Sequence, residues 1–246
     1  MQLNIFFNPA ELTFVEAPAH DIYIVIDVMR ATTTLAVMCD AGAHQILIAQ
    51  TLDQARAAAQ HVPDRLLCGE RNTQTPPGFD YGNSPALFSE LDLTGRDIVL
   101  TTSNGTRAFF ACPEHSTRLA GSFYNAQAVT TYALQQAQDQ HSDISIVCAA
   151  EYGYFALEDS VCAGYLALEL QRQFPGLHIH DNVHAAITLY NAYPFPKLIE
   201  HAQSARDLIA IGQQKDLEFC LRKNGSQHVP MVVEREQESD LLLLRS

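Results

Sequence analysis

The feature that most narrows the fold is a unit that recurs along the chain: a short β-branched run, a polar loop, then a helix-patterned stretch. Residues 21–37 give its clearest form. Ile22-Tyr23-Ile24-Val25-Ile26 is apolar at every position, which reads as a strand covered on both faces. The predicted strand covers 22–28, with Asp27 at its carboxyl end. Arg30, Thr32, Thr33 and Thr34 follow, and the apolar pattern then turns helical. Residues 97–110 and 143–168 repeat this layout. Other strand-type runs lie at 45–49, 65–68 and 117–121, with helical patterns at 51–61 and 125–138. Such alternation predicts an α/β protein, three-layer α/β/α, with a mostly parallel sheet and right-handed connections. Ligands in these sheets bind beyond the carboxyl ends of the strands.

The last third departs from the repeat. Residues 157–174, 183–193, 196–212 and 215–223 read as helices, and 229–234 and 240–244 as a hairpin or a pair of edge strands. Leu241 to Leu244 is unbroken leucine, which suits a strand buried on both faces. Without a Gly/Ser/Pro-rich linker, residues 1–246 are expected to form one domain.

Charge limits the partners. Fifteen Lys and Arg against 28 Asp and Glu leave a net charge of −13. A surface this acidic argues against nucleic acid and anionic membranes, and an anionic substrate would need a locally positive pocket. No apolar run approaches the length of about 18 residues needed for a membrane span. The first residues lack a basic leader, so a cytoplasmic protein is expected. Six cysteines without CxxC spacing read as buried thiols.

Four polar loops carry candidate chemistry. In the first, Asp27 offers a carboxylate for a metal and Arg30 a guanidinium. Thr32, Thr33 and Thr34 at a helix start offer hydroxyls and amides for a phosphate-like group. The second holds Glu70 and Arg71, then a Pro/Gly-rich loop to Asn83, Ser84 and Pro85. Ser84 before Pro85 is a helix N-cap signal. The third, Thr101-Thr102-Ser103-Asn104-Gly105-Thr106-Arg107, has the make-up of an anion nest, with Gly105 allowing close approach; an Asn-Gly turn with a Thr cap is its plain structural alternative. The fourth places Glu158 and Asp159 in the first turn of a helix. Acids there stabilise the helix dipole, or one of them faces the pocket as a base or as a ligand to a hard ion such as Mg²⁺. Cys112 and Arg118 match the C-x5-R spacing of cysteine phosphatases, but the segment ends a helix and precedes a strand, the reverse of that loop. His178 and His180 alternate on a short strand and are read as non-ligands.

Together the loops resemble the 2-phosphosulfolactate phosphatase family. The matching segments are Val25-Ile26-Asp27-Val28-Met29-Arg30-Ala31-Thr32-Thr33-Thr34, Gly69-Glu70-Arg71, Gly78-Phe79-Asp80-Tyr81-Gly82-Asn83-Ser84-Pro85, Thr101 to Ala108, and Phe155 to Gly164. Asp216-Leu217-Glu218-Phe219-Cys220 matches a weaker tail motif. Where the family has a Ser/His/Gly-containing signal, this chain reads Ala202-Gln203-Ser204-Ala205-Arg206. The resemblance implies a fold peculiar to the family, Mg²⁺ dependence, and hydrolysis of 2-phosphosulfolactate to sulfolactate, a step toward coenzyme M.

The expected enzyme is therefore a Mg²⁺-dependent phosphatase for a small anionic phosphoester. Asp27, with Glu70 or Asp159, is expected to hold the metal. Arg30, Arg71 and Arg107 would neutralise the substrate's anions. Thr32 to Thr34, Asn83, Ser84, Asn104, Gly105 and Thr106 would supply neutral contacts, and Glu158 a general acid or base. A phosphoryl group carried on Asp27, another small phosphoester as substrate, and a binder of phosphate- or sulfonate-bearing metabolites without turnover are the alternatives. Homo-oligomerisation is left open.

Overall fold

The predicted alternation is present in the computed structural model, which describes residues 1–62, 64–236 and 239–246. The first half comprises β1 (Gln2–Phe6), β2 (Ile22–Ile26), α1 (Ala31–Asp40), β3 (Gln45–Ile48), α2 (Leu52–His61), β4 (Leu66–Gly69), α3 (Pro85–Phe88), β5 (Asp97–Thr101), α4 (Gly105–Ala111) and β6 (Thr117–Gly121). The second comprises α5 (Ala126–Gln140), β7 (Ile144–Cys148), α6 (Leu157–Gln173), β8 (His178–Ile179), α7 (Asp181–Ala192), α8 (Lys197–His201), α9 (Gln203–Ala210), α10 (Gln214–Leu221), β9 (Met231–Glu236) and β10 (Leu241–Arg245).

All the strands join one 10-stranded sheet in the order β4-β5-β3-β10-β9-β6-β2-β7-β1-β8. Neighbours are parallel within β4-β5-β3 and within β6-β2-β7-β1-β8. The C-terminal hairpin β9–β10 joins these halves through antiparallel pairs. It is thus central, not an edge pair, and the leucines explain why. Leu241 to Leu244 are all buried, and an edge position would leave a flank of them wet. The antiparallel joints reverse strand sense between the halves. Twist accumulates at about 20–25° per strand, so the five pairings from β5 to β2 turn one against the other by roughly 100–125°. Carboxyl ends from both halves can then open on one pocket.

Side chains alternate between two covered faces, as a period of two requires. In β2, Ile22, Ile24 and Ile26 enter the layer packed by α5, α6 and α7, while Tyr23 and Val25 enter the layer with α1 and α4. In β10, Leu242 and Leu244 join that second layer, and Leu241 and Leu243 pack with Ala55 and Ala58 of α2. The three-layer α/β/α arrangement follows from this burial of both faces.

Several boundaries differ from the sequence reading. The 22–28 run is a strand only to Ile26, which leaves Asp27 in the turn. β1, whose Leu3 and Ile5 are buried between polar Gln2 and Asn4, lies between β7 and β8 and was not among the predicted strands. The helix expected at 196–212 is two, because Ala202 is extended (φ −71°, ψ 129°). The predicted cap is present, Ser84 accepting from the Leu87 amide at 3.2 Å, and Thr51 and Gln54 form a capping box at the start of α2. Among the described residues, no helix is long and apolar enough to cross a membrane.

α6 and α7 pack at backbone distance. A Cβ on Gly164 would lie 2.1 Å from the Ala186 carbonyl oxygen. Gly164→Ala is therefore expected to force the helices apart and cost about 1–3 kcal/mol, the usual range for overpacking. Urea unfolding would measure this, and an unchanged midpoint would show that the helices separate freely.

Candidate active site

The loops after β2, β4, β5 and β7, together with α9, enclose one polar pocket. Asp27, Arg30, Glu70, Asn83, Asn104, Glu158 and Asp159 line it, as the sequence led one to expect of neighbours. So do Ser103, from the third candidate loop, and Glu151, Tyr152, Ser204 and Asp207, to which the sequence assigns no role.

The first loop shows how the chain fixes Asp27. The Asp27 amide donates to Thr32 Oγ1 at 3.1 Å, and the Asp27 carbonyl accepts from the Thr32 amide at 3.0 Å. The Ala31 amide donates to Asp27 Oδ1 at 3.3 Å. Thr33 Oγ1 donates to the Val28 carbonyl at 3.0 Å, and Thr34 Oγ1 is buried without a partner among the described residues. All three threonines are fully buried and outside the pocket lining. The Thr32 and Thr33 hydroxyls build the turn that aims Asp27. Asp159, at the start of α6, accepts the Val28 amide at 2.9 Å and so ties the β7–α6 loop to the same turn.

Glu70 is held from two sides. Its Oε1 accepts the Ser103 amide at 2.7 Å, and Oε2 accepts the Thr73 amide at 3.0 Å. Thr73 and Asn72 have φ of 65° and 53°, a costly backbone region for a β-branched residue. That conformation turns the Thr73 amide to Glu70 and its carbonyl toward Arg30, 3.4 Å from Nη2. Across the mouth, the Tyr152 hydroxyl donates to Asn72 Oδ1 at 2.9 Å, and its amide donates to Asn104 Oδ1 at 3.1 Å.

The three arginines have different surroundings. Arg30 lines the pocket and pairs with Asp216 at 2.8 Å. Arg71 lies beside the pocket and donates to the Glu70 carbonyl at 2.7 Å and to Thr101 Oγ1 at 2.9 Å. Burial lowers its pKa, and the nearby Arg107 cation adds to this. Arg107 is exposed and, like Arg71, outside the lining. Ser84 caps α3 and donates to Asp216. Thr106 bonds reciprocally with Thr102, its amide donating to Thr102 Oγ1 at 3.1 Å. Gly105 sits against Asp27: a Cβ there would lie 2.5 Å from Asp27 Oδ2 and 2.6 Å from the Ala31 Cβ.

The pocket is thus rich in carboxylates and poor in free cations. Burial, then Glu70, pushes the Asp27 carboxyl up to about 7. Burial, then Asp27, raises Asp159 well above its ordinary value. Burial raises Glu158, against the hydrogen bond that Ser204 Oγ donates to it. Burial, then Glu158 and Asp207, raises Glu151. Each acid is held out of water beside like charges, the setting that favours either a bound proton or a bound cation. Asn83 adds a buried Oδ1 with no partner among the described residues.

Sequence separation hid the missed residues. Ser204 and Asp207 belong to α9, in the stretch whose motif differs from the resemblance, and Asp216 was visible only as a weak tail motif. The C-x5-R segment is no site. Cys112 is buried, its thiol donates to the Ala108 carbonyl at 3.4 Å, and burial pushes its pKa up to about 12. Arg118 points back to the Phe109 and Glu114 carbonyls at 3.2 and 3.1 Å.

Residues 8–235 match the family described as 2-phosphosulpholactate phosphatase. A protein of Thermotoga petrophila is 35% identical over 212 residues, covering 85% of this chain and 88% of its own. One from Deinococcus radiodurans is 34% identical, with 87% and 88% covered. One from Thermus thermophilus is 34% identical, with 89% and 91% covered. Each bears the name "Probable 2-phosphosulfolactate phosphatase". With matches of this length at this identity, the chain belongs to the 2-phosphosulpholactate phosphatase family of phosphoric monoester hydrolases.

Proposed function

We propose that this protein hydrolyses 2-phosphosulfolactate to sulfolactate and phosphate, as in coenzyme M biosynthesis, with Mg²⁺ as cofactor. The observation that carries the metal is the set of buried carboxylates around Asp27, raised by burial and by one another, while Arg30, the one cation among the described lining residues, is already paired with Asp216. An anionic phosphoester would be repelled by such a pocket unless positive charge entered with it. The donors are hard oxygens, which suits Mg²⁺, and the orphan Asn83 Oδ1 adds a neutral acceptor. Among the described residues, no group of three or more His, Cys, Asp or Glu forms a ready-made metal cage. Mg²⁺ does not require one, because it keeps several waters and takes one or two carboxylates. Asp27, with Glu70 or Asp159, would hold it. A bound Mg²⁺ supplies positive charge to the phosphoryl oxygens and lowers the pKa of a water.

The chain's own groups do the rest. Arg30 binds and orients the phosphoryl group from the pocket wall. Glu158, kept uncharged more readily by burial, holds a proton at its carboxyl near the reacting centre, with Ser204 fixing its rotamer. Tyr152 and Asn104, joined by a hydrogen bond at 3.1 Å, narrow the mouth. Arg71 and Arg107 lie outside the lining and receive the ester's remote carboxylate or sulfonate. Six buried free thiols fit a reducing compartment, the cytoplasm.

Phosphate release from a panel of small phosphoesters, with Mg²⁺ and then with excess EDTA, tests this. Release is expected to be greatest with 2-phosphosulfolactate and lost in EDTA. Undiminished release in EDTA would remove the metal, and binding without release would make the protein a metabolite binder.

A further inference from the structure

Asp216 comes from the tail of the chain and sits behind the pocket wall, almost fully buried. Its Oδ2 accepts from Arg30 Nη1 at 2.8 Å, with both side chains 3% exposed or less. Its Oδ1 accepts from Ser84 Oγ at 2.5 Å and from the Ala86 amide at 3.2 Å. Gln213, one turn earlier, also accepts from Arg30 Nη1. The Thr73 carbonyl takes Nη2 at 3.4 Å. Arg30 is therefore gripped from behind by α10 and from the side by the strained 71–74 turn, and it lines the pocket.

We propose that Asp216 is a positioning residue for the phosphatase reaction, fixing the Arg30 guanidinium in its orientation toward the phosphoryl group. The inference rests on the function proposed above. A guanidinium on a long flexible stem recognises an oxyanion well only when its plane is set beforehand. A buried ion pair alone adds little net stability. What the pair gives here is geometry: one carboxylate ties the β2–α1 turn and the 83–86 segment to α10, which lies 186 and 132 residues further along the chain.

The test compares kcat and KM for 2-phosphosulfolactate, and the affinity for inorganic phosphate measured calorimetrically with Mg²⁺. Parent, Asp216→Ala, Asp216→Asn, Arg30→Met and the Arg30→Met/Asp216→Ala double variant are compared. Asp216→Ala should lower kcat/KM by about 30-fold, within the range for misplacing a group by an ångström. Asp216→Asn, which keeps an acceptor for Nη1, should recover most of that loss. In the Arg30→Met background, removing Asp216 should cost less than about threefold, since coupled residues are not additive. Multiplicative losses, or a folded Asp216→Ala protein with parental kcat/KM and phosphate affinity, would overturn the proposal. Should Asp216→Ala not fold, Asp216→Leu is compared in the parent and in the Arg30→Met background on the same criterion. A parent that binds phosphate but hydrolyses no ester refutes the function proposed above, while the phosphate affinities still judge Asp216. A parent that neither binds nor hydrolyses overturns both.

Discussion

Asp27→Asn is expected to lower kcat by at least about 10³-fold while the protein remains folded, because stabilising charge on the phosphoryl group is the main way such a site lowers the barrier. The side chain is isosteric, and the amides of Ala31 and Gly105 that orient it remain in place. Circular dichroism and phosphate release together measure the effect. Near-parental turnover in a folded variant would remove Asp27 from the chemistry, whether as metal ligand or as nucleophile. The same substitution carries a stability signature in metal-free buffer. Burial and Glu70 raise the Asp27 carboxyl from 3.8 to about 7. A raised acid favours the native state only while it is protonated, so its penalty is absent below the unfolded value, grows as pH rises, and is full above about 7. Asn mimics the protonated form. In EDTA at pH 8 the variant should melt above the parent by at least about 2–4 °C, the shift of 1 kcal/mol in a chain of this size, and the gap should close at low pH. A variant that melts below its parent at pH 8 would contradict the crowding of carboxylates in the pocket.

Gly105→Ala is expected to lower kcat/KM by about 100-fold, the cost of an ångström-scale error at a reacting group. The added methyl would lie 2.5 Å from Asp27 Oδ2 and 2.6 Å from Ala31 Cβ. One of three things must move: the Asp27 carboxylate, the first turn of α1, or the whole β5–α4 turn. Two of these displace Asp27 directly. The loss should fall mainly on kcat, because the methyl presses on the Asp27 carboxylate itself. A change confined to KM would mean that Gly105 meets substrate and not Asp27. An unchanged enzyme would mean that the turn yields without disturbing the acid.

Much of the architecture was legible because it rests on local rules. Ile22 to Ile26 could only be a strand covered on both faces, and Leu241 to Leu244 likewise. Ser84 before Pro85 gave its helix start by capping chemistry. Asp27, Glu70, Asn104 and Asp159 were legible as neighbours in one pocket because each follows a strand, where the chain must turn and polar groups gather. The threonines show where such reading stops. A Thr-Thr-Thr run at a helix start has the donors to cradle a phosphate, yet the same hydroxyls can bond the turn's own backbone. Only packing, which leaves all three without exposed surface, decides which use they have.

The sequence by itself determined the strand–loop–helix periodicity, the acidic balance and the family. The periodicity depends on residue type and spacing within about 15 neighbours, the charge on composition alone, and the family on short motifs in a fixed order along the chain. The tertiary structure decided the rest. It placed the C-terminal hairpin between two parallel half-sheets, kept Arg71 and Arg107 out of the pocket lining while admitting Arg30, and brought Ser204 and Asp207 against Glu158. It also paired Arg30 with Asp216 across 186 residues. Such contacts leave no local trace, because a salt bridge or a shared wall constrains the distance between two side chains and says nothing about the number of residues between them.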